Sequence, residues 1–238
     1  MSALLESFRV AEDMPIESDL VVQALDKVQV QVEDYNKASR LQVFKLDEVT
    51  SSQRAALYSQ RRAFLTSSEE GMVDTFSKYC AATMAEIHEA ALLKSSSKRA
   101  VIGDPVDAEK LTAKALQFFP NLELRATDVS SVSPDKVQSL LRAQLEKAVA
   151  RKRADIDSVS SWAFPAFFRY LSLVQVDEVW CKHLSRLDLL KEEMVLQSFT
   201  AEKDVMETYR ERANKLFSSL MDDVRRNAVY SVFVYKSK

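Results

Sequence analysis

Apolar and small residues recur at three- and four-residue steps through Leu20, Ala24, Val28, Val32, Tyr35, Ser39, Val43, Leu46 and Val49. That spacing puts them on one face of an α-helix and leaves the other face wet. No proline stands between Pro15 and Pro105, and the stretch is rich in Ala, Leu, Gln, Lys, Arg and Glu, so a long spine helix is predicted from about Ile16 to about Leu65. A break capped by Thr50-Ser51-Ser52, giving two collinear helices, is the alternative. Thr66 to Glu70 reads as a turn with an N-cap before a helix over Met72 to Leu93, with Met72, Phe76, Tyr79, Cys80, Met84 and Ile87 apolar. The Ser- and charge-rich Lys94 to Asp104 reads as a linker, Val106 to Phe118 as a short helix ended by Pro120, and Asn121 to Pro134 as a loop with Leu122 and Leu124 packing back. A helix then starts near Pro134 and runs to about Ile156.

The last third predicts two helices. The first carries Pro165 in its opening turn and runs through Leu171, Val174, Val179, Leu184, Leu187 and Leu190 toward Leu196; the second runs through Met206, Tyr209, Ala213, Leu216, Leu220, Val224 and Val229. Joined across Gln197 to Lys203 they form an antiparallel hairpin, expected to lay its apolar face along the spine at Leu20 to Val49. Val232 to Tyr235 fits a helical turn, a strand or a tail. The fold class is therefore all-α: a long spine helix packed by a C-terminal helical hairpin, with a small helical unit inserted between them.

Composition removes several function classes. Gly71 and Gly103 are the only glycines, and each stands alone, so no phosphate-cradling loop and no dinucleotide fingerprint exist. Lys+Arg 33 against Asp+Glu 35 leaves a net charge of −2, which argues against binding to nucleic acid by overall charge. Cys80 and Cys181 build no disulfide framework and read as thiols of a reducing compartment. His88 and His183 belong to no metal-binding motif, and Cys181 and His183, two apart on a helix, face different ways, so neither a metal, a cofactor nor a catalytic pair is expected. The first 15 residues lack the basic start and apolar run of a secretory signal, and the chain reads as soluble. Lys147, Arg151, Lys152 and Arg153 form a basic stripe suited to RNA or anionic lipid, or else a solvated helix face. Phe199, at the hairpin tip where Gly, Asn or Ser is commoner, points to a contact with either the spine or a partner.

Glu33-Asp34-Tyr35-Asn36, Asp47-Glu48-Val49, Gln53-Arg54 and Leu57 to Arg61 resemble the long scaffold helix of the preprotein translocase motor SecA. Trp180, Lys182-His183-Leu184, Asp188, Leu190, Leu196, Lys203-Asp204, Tyr209 and Phe217 resemble that family's two-helix finger. The resemblance implies a helical scaffold with two-helix finger over residues 1–68 and 156–238, and a helical wing-like domain over 69–155. In that family the scaffold links two nucleotide-binding lobes to the peptide-crosslinking domain, while the finger tip contacts the preprotein and enters the mouth of the channel. Phe199 stands near the family's tip aromatic, but Glu193 and Ser198 replace small residues and Val205 stands where proline is usual. Residues matching the motor lobes are absent, so the expectation is either a fragment of a degenerate motor or a free-standing scaffold and wing, with the relaxed tip favouring the second.

The resemblance therefore implies a non-enzymatic scaffold factor for preprotein handling, membrane insertion or complex assembly, in a chloroplast stroma or at the thylakoid periphery, or otherwise cytoplasmic. Its expected partners are a translocon, a ribosome or a nascent membrane protein, with peripheral membrane contact and no small-molecule substrate. Partner-binding residues are Phe199, Gln197, Lys203 and Trp180 on the hairpin, with Lys147, Arg151, Lys152 and Arg153 on the basic stripe. The alternative is a regulatory or gene-expression factor that binds RNA or a nucleoprotein complex through a helical surface.

Overall fold

Helix-forming composition, with the described prolines in the first turn of a helix (Pro134, Pro165) or just past a helix end (Pro120), produces an all-helical fold. The structure, a computed structural model, describes residues 19–92, 106–160, 162–198 and 205–236. Seven helices occur among them: α1 (Asp19–Thr66), α2 (Glu69–Ala91), α3 (Ala108–Phe118), α4 (Ala126–Ser130), α5 (Pro134–Asp157), α6 (Ala163–Ser198) and α7 (Val205–Val234). The only β-type pairing among the described residues is an isolated antiparallel bridge between Leu92 and Val106. Thr50, Ser51 and Ser52 lie inside α1 and cap no break. Val232 to Val234 form the last turn of α7, with Tyr235 N–H still bonded to the Ser231 carbonyl. The stretch expected as a loop from Asn121 holds α4, a single turn stabilised where Asp128 Oδ2 accepts the Arg125 N–H at 3.1 Å.

The chain forms two compact units, Met1–Thr50 and Ser51–Lys238. In the first, every side chain from Val22 to Lys45 is exposed, including Leu25 at 60% and Tyr35 at 75%. The second unit holds the core. Ser68 caps α2 by accepting the Gly71 N–H at 3.1 Å, and Met72, Phe76, Cys80, Met84 and Ile87 then face inward at three- and four-residue steps. Phe76 packs edge-on against Phe164 at 4.9 Å and Phe168 at 5.0 Å, and Phe119 meets Phe233 at 5.0 Å, which ties α2 and the end of α3 to α6 and α7. Leu141, Leu145, Ala148 and Ile156 bring α5 to the same core.

Helices α6 and α7 run antiparallel, because Phe167 stacks near Tyr235 at 4.6 Å while Glu193 pairs with Arg212 at 2.6 Å near the other end. Asp157 Oδ1 accepts the Phe164 N–H at 2.9 Å and so fixes the start of α6. Trp162, just before it, takes a left-handed backbone with φ 65°, a conformation a bulky residue adopts only under constraint. Within the second unit the hairpin meets the C-terminal part of α1 at Gln53, Arg61 and the Phe64 carbonyl, beside the buried Leu57 and Phe64. An apolar stripe records a need for cover; it does not say what supplies it.

Candidate protein-binding surface

Polar contacts fix the base of the hairpin on α1. Gln53 Oε1 lies 2.8 Å from His183 Nε2, and Gln53 Nε2 donates to the Ala213 carbonyl at 3.1 Å, so one amide joins α1, α6 and α7. Since the amide NH₂ is committed to a carbonyl, Oε1 is the acceptor and His183 carries its proton on Nε2. The imidazole lies between Trp180 at 5.5 Å and Phe217 at 5.9 Å, and its Nδ1 has no partner. Burial, reinforced by Arg186, holds His183 below the ordinary imidazole value of 6.5. This is a neutral structural pin rather than a proton shuttle.

Two arginines extend the clamp. Arg61 grips Asp177 through Nε at 2.9 Å and Nη2 at 3.3 Å. Arg169 donates to the Phe64 carbonyl at 3.0 Å and to the Ser67 carbonyl at 2.7 Å, which puts a cation on the carbonyl end of α1.

Beyond the clamp the hairpin carries a sparse apolar surface. Leu187, Leu190 and Met194 of α6 pack inward with Tyr209, Ala213 and Leu220 of α7, while Leu189 and Leu196 project at 65% and 71% exposure. A shallow groove of about 510 Å³ lies beside Leu189 and Leu216, rimmed by Arg186, Arg212, Lys215 and Glu193. Apolar floor with mixed charge at the rim suits a polypeptide segment.

No group of three or more metal-ligating side chains occurs among the described residues. Cys80 is buried, and burial pushes its thiol far above the range of a reactive thiolate. His88 is held below the ordinary imidazole value by desolvation, and its Nε2 has no partner. No described helix is long and apolar enough to cross a membrane.

Residues 15–236 match the family described as the SecA Wing and Scaffold domain. The chain belongs to that family. It is 34% identical over 236 residues to the protein translocase subunit SecA of Synechococcus elongatus, covering 99% of this chain and 24% of the relative. The corresponding subunits of Microcystis aeruginosa and Prochlorococcus marinus are each 33% identical, covering 99% and 98% of this chain and 24% of each relative. The chain thus spans about a quarter of the length of the curated relatives it matches.

Within this SecA wing and scaffold chain the described contact residues have different surroundings. Phe199 and Lys203 lie outside the described residues, and Gln197 is placed only as part of the last turn of α6. Trp180 is 8% exposed and packs in the clamp against His183, where it supports the hairpin from within. The basic stripe is dispersed. Lys152 is 3% exposed, with Nζ on the Tyr235 carbonyl and on Asp155 at 3.2 Å. Arg151 pairs with Glu123 at 2.7 Å and Arg153 with Asp157 at 3.4 Å, leaving Lys147 exposed on the same helix. Lys152 therefore does not belong to the exposed side of the stripe, because it sits at the inward register of Ala148 and Ile156. Sequence reasoning missed the Gln53 and Arg169 clamp. Gln53 and His183 stand among the residues that carry the family resemblance, yet nothing in the sequence paired them, although Gln53 lies four residues before the buried Leu57.

Proposed function

We infer that this chain acts as a non-catalytic scaffold in protein translocation, with the α6–α7 finger as its polypeptide-contacting arm. The observation that carries the reading is the exposed Leu189 and Leu196 pair on a finger whose base is held by buried polar contacts. A rigid base lets a distal apolar surface meet a partner at low entropic cost. Residues 1–68 and 156–238 serve as scaffold and finger, residues 69–155 as the wing, and Phe199, Gln197 and Lys203 extend the contact surface at the tip. The partner is an unfolded preprotein segment or the channel that receives it. A chloroplast setting accords with the cyanobacterial sources of the relatives.

The test is site-specific photocrosslinking from position 196 to a radiolabelled preprotein in translocation-competent membranes. Crosslinks lost on Leu189→Asp, with unfolding unchanged, support the reading. Equal crosslinking from an α5 surface position such as Lys147 would sink it, since contact would then be nonspecific.

A further inference from the structure

The groove between α6 and α7 is more basic than the chain that carries it. The whole sequence has a net charge of −2, yet three cations line the groove, Arg186, Arg212 and Lys215, against a single carboxylate, Glu193. That carboxylate is already engaged, because Arg212 holds it at 2.6 Å. Arg186 and Lys215 are exposed, and among the described residues neither has an ion-pair partner. Arg186 also helps to keep the His183 imidazole uncharged, so its positive charge acts at short range on this part of the hairpin.

The spacing of the free cations sets the form of what fits. Glu193 is level with Arg212, so the antiparallel course of the two helices puts Lys215 level with Leu190, about 6 Å along the axis from Arg186. Two acidic residues one turn apart on a helix have the same separation. Beside the cations, Leu189, Leu190 and Leu216 give an apolar floor. A shallow floor of this kind suits the face of a helix better than an enclosed small molecule. We propose that the groove binds a partner's amphipathic helix whose apolar face is edged by two carboxylates one turn apart, one meeting Arg186 and the other Lys215. This rests on the reading of the finger as a polypeptide-contacting arm and adds the sign of charge that the arm selects. Acidic apolar segments are held, and segments with lysine or arginine at the same places are refused.

Fluorescence anisotropy with the full chain tests it, using two labelled helical peptides that share one leucine face. One carries glutamates a turn apart beside that face, and the other carries lysines. The glutamate peptide is expected to bind about tenfold or more tighter than the lysine peptide, and to weaken as salt rises. Arg186→Glu with Lys215→Glu should reverse that order, and Leu189→Ser should weaken both peptides. Urea unfolding checks that these substitutions of exposed residues leave the fold intact. Equal binding of the two peptides, or a preference that survives the charge reversal, overturns the proposal. Equal binding that Leu189→Ser still weakens leaves the polypeptide-contacting finger standing, so the two readings fail separately. Binding of neither peptide at roughly 100 μM also overturns the proposal, and crosslinking from position 196 then decides the role of the finger on its own.

Discussion

Replacing Gln53 by leucine isolates the energetic worth of the clamp. The side chain is 4% exposed and its partner His183 is 1% exposed, so neither group can turn to water when the other is removed. Leucine fills nearly the same volume, which keeps the cavity contribution small. The Ala213 carbonyl sits within α7 and keeps its helical hydrogen bond, so its loss is slight. What remains is the His183 Nε2–H, left without an acceptor on a ring whose Nδ1 already lacks a partner. An orphaned buried donor costs about 1–3 kcal/mol, and that is the expected destabilisation of Gln53→Leu. Urea unfolding followed by far-ultraviolet circular dichroism measures it, with the slope against denaturant checked for constancy. The double variant Gln53→Leu with His183→Leu removes both polar partners and is expected to be less destabilised than the sum of the singles by about 1 kcal/mol or more. Two results would refute the reasoning: a Gln53→Leu cost below about 0.5 kcal/mol, or strict additivity in the cycle.

Acid sensitivity follows from the same ring. His183 and His88 are both held below 6.5 in the folded protein, so the unfolded chain binds more protons just below that value. Their contribution is complete above pH 6.5 and is lost as pH falls toward the depressed folded values; His183→Gln should flatten the dependence of stability on pH just below 6.5, and an unchanged slope would contradict it. Arg169→Ala should cost about 1–3 kcal/mol by exposing the Phe64 and Ser67 carbonyls, with Arg169→Lys recovering only part because an ammonium cannot span both acceptors. Full recovery by lysine in the same unfolding assay would mean that charge alone, without the fork, holds the end of α1.

The helices were legible because their determinants are local. Pro134 marks the start of α5, Ser68 caps α2, and the inward steps from Met72 to Ile87 show which face of α2 is buried. Short α4 was not legible, since its five polar-rich residues give no periodic signal and one carboxylate holds the turn. The hairpin's docking place on α1 was also hidden. The richer apolar stripe lies before Val49, yet the clamp uses a glutamine, a leucine and a phenylalanine beyond it. Trp180 and Lys152 show a different kind of miss. Val176, Trp180, His183 and Leu187 fall at steps of four, three and four, and Ala148, Lys152 and Ile156 at steps of four, so both residues stand on buried registers that spacing alone could reveal. Aromatic character and positive charge drew attention to them as surface contacts, although position decides exposure before chemistry does.

Polarity at the clamp has a geometric consequence that apolar packing would not supply. A seam of leucines tolerates displacement by one helical turn, about 5.4 Å, because another leucine arrives at the vacated place. Here contacts occur at three heights, Gln53 with His183, Arg61 with Asp177, and Arg169 with the carbonyls at the end of α1. A one-turn slip would break all three at once and strand the buried amide, the buried imidazole and the terminal carbonyls without partners. Each stranded buried group costs about 1–3 kcal/mol, so slipped arrangements are strongly disfavoured even where apolar burial is unchanged. The same device recurs at the open end of the hairpin, where Lys152 of α5 places its ammonium on the Tyr235 carbonyl just past α7. Cations from neighbouring helices thus close the carbonyl ends of both α1 and α7. The register of the hairpin on the C-terminal part of α1 is set by these polar stops, which is why substitutions that spare stability but erase the stops should disturb positioning first.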